Sequence, residues 1–298
     1  MNFFWSGVYV AYKIIDHSLP SDSTTGLIVT LRFGMAAICI LALWPWLPGV
    51  APRGADLAKT CVMGCLVFVL EQRLQVYANQ LGTAGNSAVL MAVEPLIGSA
   101  GAALFLHEPI GPRRLVGFAL GIFGVALLNR VWRPDFQWVG TVPSLIFISS
   151  FLCGAAYSVM GKPIIARAGM MKVLGIALAA ATVVNVVIDG KRTISVAGRL
   201  SLQAWLLLVG LAIVCTVIGY TVWFLAIRDS PVSVASLTIF SQAIFGVGIA
   251  AVWLGEKPHW GQLFGGLTIL AGIILGLSRQ IKQTHSVPAT ETAPTAVD

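Results

Sequence analysis

The chain has 298 residues, 57% of them hydrophobic and only 10% charged, with a mean hydropathy of +0.86 and a formal net charge of +7. So little polar surface excludes a water-soluble globule and places the chain in a bilayer. The positive charge is scattered through short segments with no basic run interleaved with aromatics, so it offers no nucleic-acid surface.

Crossing about 30 Å of hydrocarbon takes roughly 20 apolar residues per helix. Inside lipid only helices or closed barrels satisfy their backbone groups, and the short alternating segments of a barrel are missing from the sequence. The apolar runs predict helices over 2–17, 25–47, 57–79, 83–106 and 111–130, then over 139–162, 170–188, 202–226, 232–254 and 259–279. The fold class expected is an all-α membrane protein of ten transmembrane helices, five in 1–134 and five in 139–279. The first span is short and contains Lys13. No basic residue precedes it and no small-residue cleavage site follows it, so it reads as a span and not as a cleaved signal peptide. The tail 280–298, rich in Thr, Ala and Pro, lacks apolar periodicity and is expected to be a disordered cytoplasmic tail.

In the third span, residues 71–80 read EQRLQVYANQ. Charges at that depth are costly and persist where they face a polar cavity or a partner. Glu71, Gln75 and Asn79 recur every fourth residue and share a face with Gln72 beside them, while Arg73 points about 200° from Glu71. Two readings of Glu71 stay open: it binds a cationic substrate group or a proton, or it pairs structurally with Arg32 or Arg73. Arg73 suits a substrate carboxylate by a bidentate contact, or a carboxylate on a neighbouring helix. In the fourth span Glu94 precedes Pro95, whose missing N–H loosens the helix and frees a carbonyl. Glu94 is read as a cavity residue, the alternative being an ion pair with Arg32 or Arg73. Trp5, Tyr9, Tyr157, Tyr220 and Trp223 are aromatic residues at cavity depth, where Tyr157 beside Ser158 and Trp223 at the depth of Gln75 are candidates to stack on a substrate; helix packing and interface anchoring explain such residues equally. The five cysteines are scattered through apolar spans and the four histidines through loops, span ends and the tail, so no metal site and no cofactor is expected.

The second half repeats the first. VEPLIGSAGAALFLHEPIGPRRLVGFALGIFGVALL from Val93 aligns with SQAIFGVGIAAVWLGEKPHWGQLFGGLTILAGIILG from Ser241, 148 residues on. Glu108 falls on Glu256, and Glu94 on Gln242, beside Ser241; near the start of each half Tyr12-Lys13 falls 149 residues before Gly161-Lys162. An odd number of spans per half makes the second copy enter the membrane from the opposite side, an inverted repeat, which in secondary transporters supplies two pseudo-equivalent states. LRFGMAA of the second span (31–37), EPLIGSAGAALFLHE (94–108), the glycine-ribbed fifth and tenth spans and Gly255-Glu256 resemble the EamA-like ten-helix branch of the drug/metabolite transporter superfamily. The resemblance implies an inner-membrane carrier with a central cavity lined by the first, third, fourth, sixth, eighth and ninth spans, scaffolded by the fifth and tenth. It also implies export of a small polar metabolite such as an amino acid, or of a drug-like compound. Arg32 matches the family's arginine of the second span, where a structural role is expected. Glu108 and Glu256 are expected to serve capping or loop packing.

No Gly-Lys phosphate loop is present, so accumulation would be driven by an ion or substrate gradient, with proton coupling at Glu71 or Glu94 expected. A channel or facilitator, an importer and a membrane-embedded enzyme are the rival classes; the last would need a paired catalytic constellation, and none is found. The expected partners are a small-molecule substrate and the lipid bilayer. Glycines at helix-packing spacings fit a monomer or a homodimer seam. Basic residues in the short loops, ten on one side against seven on the other, favour both termini in the cytoplasm, and the resemblance implies a bacterial-type inner (plasma) membrane.

Overall fold

The computed structural model describes residues 1–17, 24–81, 90–134, 141–242, 244–245, 248–249 and 260–284. Among them the secondary structure is helical, with no strand. The first half comprises α1 (Asn2–Ser6) and α2 (Val8–His17), parted at Gly7, then α3 (Thr24–Ala42), α4 (Ala55–Cys65), α5 (Gln72–Leu81), α6 (Glu94–Phe105) and α7 (Pro112–Asn129). The second half comprises α8 (Thr141–Ile165), α9 (Met170–Ala197), α10 (Leu202–Gly210), α11 (Gly219–Asp229), α12 (Val232–Leu237) and α13 (Trp260–Thr284). Among the described residues five helices are long and apolar enough to cross a membrane: Thr25–Ala42, Ala55–Ala78, Ser144–Ile165, Met170–Ala197 and Leu202–Asp229. Their outer faces carry apolar side chains, with Val187 80% and Ile194 79% exposed, a surface that lipid would cover.

The helix ends follow ordinary rules. Pro112 opens α7, where its missing N–H is needed by no partner, and Arg130 closes it in the left-handed conformation (φ 51°). Ser201 caps α10 by accepting the Ala204 N–H. Where sequence and structure part, the neighbours decide. The sixth span continues through Pro163 to Ile165, because a proline in the last turn removes only one intrahelical bond. The seventh runs to Ala197 instead of stopping at 188, which puts Lys191 and Arg192 on a helix and not in a loop. The tenth continues to Thr284 instead of 279, so the first residues of the expected disordered tail are helical.

The repeat is visible in the backbone irregularities. A π-helical turn joins α4 to α5 (Leu66–Glu71), and another joins α10 to α11 (Leu211–Ile218). A 3₁₀ turn precedes α6 (Met91–Val93) and another follows α12 (Thr238–Phe240). Both kinds fall at matching places of the two halves, although only the first half has a proline at its 3₁₀ turn. The break is therefore a property of the repeat and not of Pro95 alone. π turns free carbonyls and often mark functional sites: here Asn185 Nδ2 donates to the Phe68 carbonyl at 3.0 Å, and Thr216 Oγ1 donates to the Leu211 carbonyl at 2.9 Å.

Small residues let the bundle close. α7 lies along α13, where a Cβ at Gly117 would come within 2.8 Å of the Gly272 carbonyl and one at Gly124 within 2.8 Å of the Gly265 carbonyl. α4 meets α9 at Gly64, where a side chain would strike the Ala177 backbone.

Candidate functional site

A half-open cavity of about 660 Å³, its mouth included, lies among α1, α2, α3, the first π turn, α5, α8, α11 and the turns beside α6 and α12. Its first-half wall holds Trp5, Val8, Arg32, Val67, Glu71, Gln72, Gln75, Met91 and Glu94; its second-half wall holds Gly154, Tyr157, Ser158, Tyr220, Trp223, Ile239 and Gln242. Most of these are repeat mates of one another. At an offset of 149, Trp5 and Val8 correspond to Gly154 and Tyr157; at 148, Gln72, Gln75, Met91 and Glu94 correspond to Tyr220, Trp223, Ile239 and Gln242. The cavity sits where the two halves face each other.

Of the residues singled out in the sequence, the structure brings together Trp5, Glu71, Gln75, Glu94, Tyr157, Trp223 and Gln242. Glu71 is 5% exposed. Its Oε1 accepts from Gln75 Nε2 at 3.1 Å, and its Oε2 is buried with no hydrogen-bond partner among the described residues. Gly154 makes room for that carboxylate, since a Cβ there would lie 3.1 Å from Oε2. Behind Glu71 runs a polar relay. Gln72 Nε2 donates to Gln75 Oε1 at 3.5 Å, and Gln72 Oε1 accepts from Tyr12 Oη at 3.0 Å and from Arg32 Nη1 at 3.2 Å. Arg32, 2% exposed, also donates through Nε to Thr216 Oγ1 at 2.9 Å and through Nη1 to Tyr12 Oη. Its role here is to hold α2, α3, α5 and the second π turn together.

Arg73 lies outside the cavity. Its Nη1 pairs with Asp189, and its Nε and Nη2 donate to Asn185 Oδ1 at 3.2 and 2.8 Å. Pointing away from Glu71, it meets a carboxylate of α9. Among the described residues no salt bridge joins Glu71 or Glu94 to either arginine. Pro95 is buried in the first turn of α6, directly after Glu94. Glu108, beyond the end of α6, accepts from Lys162 of α8 at 2.6 Å and, through Oε2, from the Ser233 N–H in the first turn of α12 at 3.5 Å, so it serves the expected capping of a helix end, at α12. The side chain of Tyr9, the side chain of Asn79 and Glu256 lie outside the described residues.

The aromatic wall is continuous. Trp5 packs against Tyr220 (5.4 Å between ring centroids) and Trp223 (6.3 Å), and Tyr157 meets Tyr220 edge-on (5.7 Å) and stacks on Phe224 (5.2 Å, 5°). Trp5 Nε1 donates to the Cys215 carbonyl at 2.7 Å, and Trp223 Nε1 to Ser158 Oγ at 3.2 Å, which fixes both indoles. Sequence reasoning passed over Gly154 and the relay role of Gln72; only knowledge of which helices adjoin reveals them.

One end of the bundle is closed. Here α3, α6, α8 and α11 finish and α4, α7, α9 and α12 begin. Lys162 Nζ donates to Glu108 and, at 2.9 Å, to the Ser230 carbonyl; Arg114 donates to Ser233 Oγ at 2.7 Å. Nearby Arg167 pairs with Asp56 at 3.0 Å, Lys172 donates to the Gly49 carbonyl at 2.9 Å, and the Gly169 N–H donates to the Val50 carbonyl at 2.8 Å. Apart from the Lys162–Ser230 bond, which lies within the second half, each of these contacts joins the first half to the second.

Known proteins resemble the chain over nearly all its length. A protein of Archaeoglobus fulgidus named an uncharacterized transporter is 23% identical over 281 residues, covering 93% of this chain and 94% of that one. A probable terminal-alkyne amino-acid exporter of Streptantibioticus cattleyicolor is 24% identical, covering 91% and 89%. A probable amino-acid metabolite efflux pump of Escherichia coli K12 is 24% identical, covering 92% and 91%. A solved crystal structure, 17% identical, superposes with a TM-score of 0.73 over 94% of this chain and 96% of that one, and so shares the fold. The model of the EamA-like transporter family matches twice, over residues 1–130 and 141–278, once on each half of the duplication, and the chain belongs to that family.

Proposed function

We propose that the chain is a secondary transporter of ten transmembrane helices in two inverted five-helix repeats, which carries a small polar metabolite or drug-like compound by alternating access. The observation that carries this reading is the placement of repeat mates around one cavity: residues from corresponding helices of both halves line it, with Glu71, Glu94 and Gln242 as its polar groups. Two halves that face a shared cavity can exchange roles, so that the cavity opens to one side and then the other. The contacts between halves at one end support this further, since a carrier must be closed on one side while it is open on the other.

Outward transport, a plasma-membrane location and cytoplasmic termini complete the proposal; the exporters among the relatives and the basic bias of the short loops support them. Proton exchange at Glu94 or Glu71 is the proposed coupling. Cells that make this protein, an empty-vector control and the Glu94→Gln form are compared for intracellular and extracellular metabolites. The expected result is a compound enriched outside only with the intact protein, with its efflux losing pH dependence in Glu94→Gln. Unsaturable flux without counterflow in proteoliposomes would instead establish a channel.

A further inference from the structure

The two halves put unlike chemistry on equivalent positions of the cavity. Where the first half carries Glu71, Gln72 and Gln75, the second carries Gly219, Tyr220 and Trp223. The large and small residues are exchanged across the repeat as well. The Glu71 carboxylate lies over Gly154, whose mate is Trp5, and the Trp5 indole lies over Gly219, whose mate is Glu71; a Cβ at Gly219 would come within 2.6 Å of Trp5 Nε1. The same cradle thus holds a carboxylate at one pole and an indole at the other.

We infer that this polarised cavity selects an organic monocation: an amine whose ammonium group binds at Glu71 and whose flat apolar body lies against Trp5, Tyr220 and Trp223. The inference rests on the transporter reading for its purpose but on the cavity for its chemistry. Glu71 and Tyr157 both line the cavity, and among the described residues Glu71 Oε2 and Tyr157 Oη are buried without a hydrogen-bond partner. An ammonium supplies three donors, and a buried carboxylate oxygen without a donor is costly until one arrives. Glu94 adds a second carboxylate to the same lining. Arg32 does not offset this with a free fork for a substrate carboxylate, because its Nε and Nη1 are committed to Thr216, Tyr12 and Gln72. Tyr and Trp faces attract an organic cation by their π electrons and cover the apolar body that it carries.

The test uses the purified full chain, with radiolabelled 2-phenylethylamine as probe and 3-phenylpropionate, phenylalanine and propylamine as competitors. Expected is competition at least tenfold weaker by the acid, by the zwitterion and by the ringless amine than by unlabelled probe. Glu71→Gln is expected to lower probe affinity at least tenfold, Gly154→Ala to lower it by crowding the carboxylate, and Trp223→Leu to lower it for the probe but not for propylamine. Equal or better competition by the acid or the zwitterion, or unchanged affinity in Glu71→Gln, would overturn the inference. Should Glu71→Gln fail to run as a single species on gel filtration, the competitor panel on the intact protein and Gly154→Ala decide. Counterflow in proteoliposomes separates the two readings: probe bound but never carried removes the transporter and leaves the amine site, whereas carriage of phenylalanine or the acid that Glu71→Gln does not alter removes the amine site and leaves the transporter.

Discussion

At the scale of single residues, Arg32 shows how a charge survives inside an apolar bundle. It is buried with three acceptors around it, Tyr12, Gln72 and Thr216, each on a different segment. Its planar fork reaches all three, whereas a lysine would place one point charge among them. Arg32→Met strands the acceptors and removes the donor that orients Gln72, and so, through Gln75, the amide facing Glu71. Hydrogen bonds to a charged group contribute about 1.5–3 kcal/mol each. Arg32→Met is therefore expected to lower thermal stability in detergent markedly, and Arg32→Lys to recover only part of it, as read by the midpoint of a thermal denaturation curve. If lysine restored the midpoint in full, the fork geometry would not matter. A smaller residue makes the complementary point: Gly64→Val would push the Ala177 backbone of α9 away from α4, and overpacking of this kind costs about 1–3 kcal/mol.

At the scale of elements, the polar third span sorts its residues by face. Glu71, Gln72 and Gln75 turn to the cavity, while Arg73 turns to α9 and meets Asp189 and Asn185. The arginine and aspartate are each about one-fifth exposed, 20% and 22%, so solvent weakens the pair only in part. Removing one partner leaves a poorly solvated charge; removing both does not. Asp189→Leu is accordingly expected to destabilise the protein more than the Arg73→Met/Asp189→Leu double variant does, with a double-mutant cycle of thermal stabilities as the measure. The two faces of this span were legible in the sequence, because a four-residue period needs only helix geometry, and so was the need of Arg73 for a partner. The identity of that partner was not. Asp189 lay just past the predicted end of its helix, and only the continuation of α9 to Ala197 carries it on a helix beside Arg73. The first π turn was hidden for the same kind of reason: the donor that meets its freed Phe68 carbonyl, Asn185, comes from an adjoining helix and not from the local sequence.

At the scale of the whole molecule, the duplication was the most legible feature and the closed end the least. Repeated motifs announce themselves in the sequence, but the contacts that tie the halves join residues such as Glu108 and Lys162 that stand 54 apart and outside any shared period. The repeat nevertheless gives this pair a meaning. Lys13 stands where Lys162 stands, and Glu256 where Glu108 stands, so each half contributes one glutamate and one lysine at equivalent positions. If the halves exchange roles during transport, the Glu108–Lys162 tie belongs to the state closed at this end and has to open in the other. A Glu108→Cys/Lys162→Cys variant in an otherwise cysteine-free background, once oxidised, is then expected to retain substrate binding from the open side while counterflow in proteoliposomes falls to background, and reduction is expected to restore flux. The charge-exchanged variant Glu108→Lys/Lys162→Glu is expected to transport, because the attraction survives the exchange, whereas Glu108→Lys alone puts two lysines together and disfavours closure at this end. Undiminished flux in the oxidised cysteine pair would mean that this end never opens, and the halves would have to move by another route.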